Sequence, residues 1–167
     1  VPWPTTRIRR SSGFGPTYDA ELVAATINAL PAGAALVVVS DHGQVDVGDR
    51  VVTLDPEIVE RTTMLSGEGR FRWLHARPGM ADALAQAVHR HYDGVAWIRT
   101  REQAVSDGWF GGQLSDRFAH RLGDVVIATR DPVAVLDPAD PKEQRMRCRH
   151  GSLTAAEMLV PLLGSRA

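Results

Sequence analysis

Apolar positions in the first third of the chain change spacing twice. Between Asp19 and Leu30 they fall at Leu22, Val23, Ile27 and Leu30, one face of a helix, with Asp19 and Glu21 at the end where the helix dipole favours acids. Pro31 and Gly33 end that pattern, and Ala35 to Ser40 follows as an unbroken, β-branched apolar run. Such a run predicts a strand buried on both faces of a parallel sheet. Val51 to Leu54 predicts a short strand, and Phe71 to Ala76 alternates like another. A helix is expected from Ala81 to His91, a strand from Val95 to Thr100 and a short helix from Arg101 to Ser106. The segment 70–106 therefore reads as a small β-α-β subdomain with a trailing helix. Asp124 to Thr129 is a further apolar strand, and Val133 to Leu136 is expected to pair beside it. A polar loop spans 137–149, and a last helix, begun by Ser152 or Thr154, is expected to run through Leu163. Glu157 stands three residues after Thr154, the spacing of a capping box. Strands alternating with helices argue for an α/β fold, and residues 1–16 read as an irregular arm.

Composition narrows the class. At 167 residues the chain is long enough for one compact domain with a substantial core. A net charge of −1 gives no reason to expect a nucleic-acid or membrane surface, and no apolar run approaches the roughly 20 residues that span a bilayer. The start, VPWPTTRIRRSS, has basic residues but no apolar segment after them, so it is not a signal peptide. Cys148 is the one cysteine, which forbids an internal disulfide and suits a reducing, cytoplasmic location. Lys142 is the single lysine among 19 basic residues, which reads as a coding bias and locates no site.

Candidate chemistry lies where the first apolar strand ends. Asp41 and His42 follow it directly, and Gly43 lets the backbone turn there. In open α/β sheets, sites gather at the carboxyl ends of strands. A carboxylate and an imidazole suit zinc, which needs further ligands from elsewhere. His150 is the natural third ligand, since it lies on a polar loop and is again followed by glycine. The competing reading is local, because Asp and His after a strand also serve as turn formers and caps. His75, His89, His91 and His120 are assigned no chemistry: the first sits in a strand, the next two do not share a helix face, and the last lies on a polar helix.

VVVSDHGQVDV and RHGSLTAAEMLVPLL resemble the two C-terminal signatures of the alkaline phosphatase superfamily, in its type I phosphodiesterase / nucleotide pyrophosphatase branch. RPGMADALAQAV, AWIRTREQAVSDGWFG and HRLGDVVIATRDPVAVLDP resemble the segments between them in bacterial members, so the likeness spans about 13–163. It implies the C-terminal part of an alkaline-phosphatase-like α/β domain over 13–167, with a mixed or parallel sheet core, after a non-family arm at 1–12. It also implies a site for two divalent metals, usually zinc, with Asp41 and His42 on one ion and His150 on the other. Phosphodiester or nucleotide substrates and a Thr or Ser nucleophile come with the same resemblance.

The sequence departs from the family pattern before the DHG step. No first metal-binding Asp precedes it, and the Asp and His of the stretch Asp-x-x-Gly-His-x-x-Gly-Pro are missing, with only Gly13 to Pro16 resembling its end. Thr5 and Thr6 sit on the arm without the nucleophile's motif, so no catalytic nucleophile is identified. The expectation is half of a two-metal site, in a fragment, a decayed gene product or one half of a split protein. Self-association or a missing N-terminal half are the partners this implies, because the DHG strand would otherwise be an open edge. The alternatives are a non-catalytic remnant that binds metal or a partner, and a phosphomonoesterase, sulfatase or phosphoglycerate mutase relative. Arg99, Arg101, Arg117 and Arg121 are either solvated surface charges or groups that reach a substrate.

Overall fold

The computed structural model describes residues 16–140, 143 and 145–166. The arm at 1–12, the Gly13–Gly15 turn and the candidates Thr5 and Thr6 lie outside the described residues. The chain divides into two units, one of Val1–Asp41 with Val160–Ala167 and one of His42–Leu159. The architecture is mixed α/β, as the alternating pattern predicts.

In the smaller unit α1 (Pro16–Ala29) covers the expected helix and stops before Pro31 and Gly33, the latter at φ +86°. β1 (Ala35–Val39) is the predicted strand, but its surroundings differ from expectation. It pairs antiparallel with β10 (Leu162–Arg166) in a two-stranded sheet, with Val37 opposite Gly164 and Val39 opposite Leu162. Val37 and Val39 remain 63% and 60% exposed, so the strand is not buried on both faces. The last predicted helix also differs. Only α6 (Ala155–Met158) forms, and Leu159 already has extended backbone at ψ 106°. Pro161 disfavours helix at Val160 and has no N–H to continue one, so the chain extends into β10.

Among the described residues the larger unit holds three sheets. A four-stranded antiparallel sheet runs in the order β4 (Thr62–Glu68), β5 (Phe71–Ala76), β7 (Val125–Thr129), β6 (Ala96–Thr100). β7 is buried at every position, as its VVIAT sequence requires. On one face α3 (Ala81–Tyr92) sets Leu84, Ala87 and Val88 against Leu74, Ile98 and Ile127. On the other face Trp73 and Val126 meet Ala104 of α4 (Arg101–Ser106) and Trp109. β5, α3, β6 and α4 thus follow in the predicted order. β4 was not foreseen because TTMLSGE mixes polar and apolar residues without a period, yet it pairs in a hairpin with β5 whose turn is Gly69–Arg70.

Two smaller ladders complete the unit. β3 (Val51–Thr53) runs parallel to β8 (Ala134–Leu136), with Val51 opposite Ala134. The expectation that Val133–Leu136 pairs with the 124–129 strand is therefore corrected: both edges of β7 are taken, by β5 and β6. α2 (Pro56–Arg61) follows β3 and is capped by Asp55, whose carboxylate accepts from the Glu57 N–H at 2.8 Å. α5 (Asp116–Ala119) is a single turn. β2 (Val45–Asp46) pairs antiparallel with β9 (Cys148–Arg149), Val45 opposite Arg149. Among the described residues no helix is long and apolar enough to cross a membrane.

Candidate metal centre

The β2–β9 ladder explains how residues 42 and 150 meet. In antiparallel pairing, the chain before Val45 and the chain after Arg149 leave from the same end. The His42 and His150 rings stack there, with centroids 3.7 Å apart and planes inclined by 17°. His42 Nδ1 lies 2.9 Å from the Gly43 carbonyl. A carbonyl can only accept, so Nδ1 carries the proton and the lone pair sits on Nε2. Asp41 belongs to the smaller unit, where the Ser40 hydroxyl donates to its Oδ1 across 3.5 Å.

Both glycines after the histidines have a steric reason. A Cβ on Gly43 would stand 1.9 Å from the Ala156 carbonyl oxygen, so the Gly43 backbone lies directly on α6. Gly151 has φ +109°, and a Cβ there would meet the Glu68 Cβ at 3.0 Å. The His-Gly step thus marks two places where backbone passes close to another element.

Glu157 and Arg70 lie beneath these loops, fully buried. The Arg70 guanidinium donates from Nε to Glu157 Oε1 at 2.7 Å and from Nη2 to Oε2 at 3.0 Å, a bidentate pair. Its other donors reach the carbonyls of Asp131, Val133 and Thr129. The Glu157 carboxylate also accepts from the Ser152 N–H at 3.0 Å and the Thr154 hydroxyl at 2.5 Å. Burial pushes this carboxyl up, but hydrogen bonds from Arg70, Thr154 and Ser152, with the Arg70 charge, outweigh it and hold the group below its ordinary value. The capping-box expectation is corrected here: Thr154 is the N-cap but makes no side-chain cap bond, and its hydroxyl turns to the Glu157 carboxylate. A second buried pair joins Arg72 to Glu143, with Arg149 Nη1 3.9 Å from the same carboxylate.

Of the candidate arginines, Arg99, Arg101 and Arg121 engage near neighbours. Arg99 donates to Asp107 and Arg101 to Asp124, each at 2.6 Å. The Arg121 guanidinium lies over the Phe118 ring, 5.7 Å from its centroid. A group that the sequence did not single out is Asp55, Glu57 and His91, whose donor atoms lie within 4.8 Å of one another. Glu57 is already engaged there by Arg90 at 2.5 Å and Arg61 at 3.5 Å, so the arrangement reads as an ion-pair network between α2 and α3. Only the fold reveals it, because Asp55 and His91 are far apart in sequence.

Comparison with known proteins follows from this geometry. The sequence profile of the type I phosphodiesterase / nucleotide pyrophosphatase family matches residues 20–153. No curated protein sequence matches significantly. Human ectonucleotide pyrophosphatase / phosphodiesterase 5 superposes with TM-score 0.61 at 15% identity, covering 89% of this chain and 37% of its own. An inactive form of the murine protein in complex with AMP gives 0.57 at 18%, covering 78% and 33%. Phosphonoacetate hydrolase from Sinorhizobium meliloti, in complex with phosphonoformate, gives 0.59 at 21%, covering 90% and 38%. The chain therefore shares their fold and spans little more than a third of their length.

Proposed function

From the premise that the chain belongs to the type I phosphodiesterase / nucleotide pyrophosphatase family, we propose that it carries part of a metal site for hydrolysing phosphodiester or pyrophosphate bonds. The observation that carries the proposal is the stacked pair His42 and His150, brought together from opposite ends of the larger unit. The residue types support a zinc reading: two imidazoles, one with its Nδ1 proton on the Gly43 carbonyl, and a carboxylate at Asp41 next in sequence to His42. In this reading Asp41 and His42 hold one ion and His150 the other. When bound, a pair of such ions offsets phosphate charge and orients the attacking and leaving oxygens. The protein's own contribution is to hold the two rings side by side and to fix the tautomer of His42 through the Gly43 carbonyl.

The nucleophile and the other ligands would come from further family sequence, in the same polypeptide or a second one. The share of the relatives' length covered here favours a companion reading, in which these 167 residues alone bind metal without turnover. The AMP complex of the murine relative supports a nucleotide as the ligand class in this reading. Zinc calorimetry and hydrolysis of a chromogenic phosphodiester, run on one sample with Asp41→Asn and His150→Ala, test these readings. Zinc uptake that both substitutions weaken is the expected result. Hydrolysis or uptake that survives both would sink the site assignment.

A further inference from the structure

We propose that Glu157 is the positioning residue for the His42–His150 pair, and that Arg70 fixes it in place. This rests on the reading of those histidines as ligands, yet it concerns what holds their loops. Glu157 is bonded to both loops at once. Its main-chain carbonyl accepts from the Gly43 N–H at 2.8 Å, one residue beyond His42. Its carboxylate accepts from the Ser152 N–H at 3.0 Å, two residues beyond His150. The loops are 108 residues apart in sequence, and α6 bonds to each.

The carboxylate takes four hydrogen bonds, two from Arg70 and one each from Ser152 and Thr154, which uses all its acceptor sites. Arg70 enters from the β4–β5 turn and also ties down the carbonyls after β7. Ser152 adds a bond from its hydroxyl to the Thr129 carbonyl at 2.7 Å. A buried arrangement with every polar atom satisfied has one low-energy geometry. It leaves the 150–154 turn little freedom, so the His150 ring is fixed against His42.

The test uses the full chain without metal. Inter-ring contacts of His42 and His150 are read by NMR nuclear Overhauser effects, and zinc affinity by calorimetry. Variants are Glu157→Gln, the apolar exchange Arg70→Leu with Glu157→Leu, and Arg70→Lys, which keeps the charge without the fork. Leu84→Ala is the control, since it destabilises the core of α3 and touches neither loop. The expected result is loss of the inter-ring contact and about tenfold weaker zinc binding in the folded Glu157 or Arg70 variants. Leu84→Ala should keep both at temperatures where it is folded. Unchanged ring contact in the folded variants overturns the proposal, as does equal loss in Leu84→Ala. Wild-type ring contact without any zinc uptake would refute the metal reading and leave the positioning role standing.

Discussion

At the level of single residues, the candidate site divides into a legible and an illegible part. His42 and His150 stand out because histidine, one of six in the chain, sits beside glycine, and Asp41 because it follows the end of an apolar run. The structure supplies the reason for each glycine: a Cβ at 43 would strike the Ala156 carbonyl, and residue 151 adopts φ +109°. Glu157 carries no such mark. Its sequence neighbours suggest a cap, and its real partner, Arg70, is 87 residues away in a hairpin turn. That pairing makes a prediction about acid. The Glu157 carboxyl is held below its ordinary value in the folded chain. Its contribution to stability is complete above the unfolded value, about 4.3, and falls away as pH drops through the lower folded value. Denaturation of wild type and Glu157→Gln between pH 7 and pH 2 should show a shallower acid limb for the variant. Parallel limbs would mean that other carboxylates govern acid sensitivity.

At the level of elements, the same three-residue spacing produced two outcomes. Thr100 and Gln103 form a complete capping box at the start of α4, with the Thr100 hydroxyl accepting from the Gln103 N–H and the Gln103 side chain accepting from the Thr100 N–H. Thr154 and Glu157 share that spacing, but a buried arginine attracts the carboxylate away from the cap. A surface amide meets no such competition. Thr100→Ala should therefore cost about 1 kcal/mol in a denaturant melt, and a loss near zero would show that α4 is held by Ala104 alone. Apolar patterning and its stops located α1, α3 and the strands β5, β6 and β7. They could not find β4, where a register shift between Thr62 and Met64 breaks the alternation, or foresee that Pro161 turns the last helix into β10. The β3–β8 pairing was also hidden, because which edge a short strand joins depends on edges already occupied.

At the level of the whole molecule, β1 is where sequence and structure differ most. Its composition is that of a strand enclosed by neighbours, yet among the described residues β10 is its one partner, in a two-stranded sheet. Val37, Val39 and Leu162 remain mostly exposed, and cross-strand pairing puts Val39 and Leu162 on one face. A two-stranded sheet is marginal in water, and an uncharged apolar edge invites further strands. Relatives with this fold are more than twice as long, so their extra chain offers material to cover such a strand. The chain of 167 residues by itself is then expected to self-associate. Sedimentation velocity across a concentration series should show reversible dimers or larger species, and Val37→Lys with Val39→Lys should shift them toward monomer. Lysine on the exposed face opposes edge pairing by charge while leaving the larger unit's core untouched. A wild-type monomer at all concentrations that melts in one cooperative transition would mean that the β1–β10 ribbon is stable without cover.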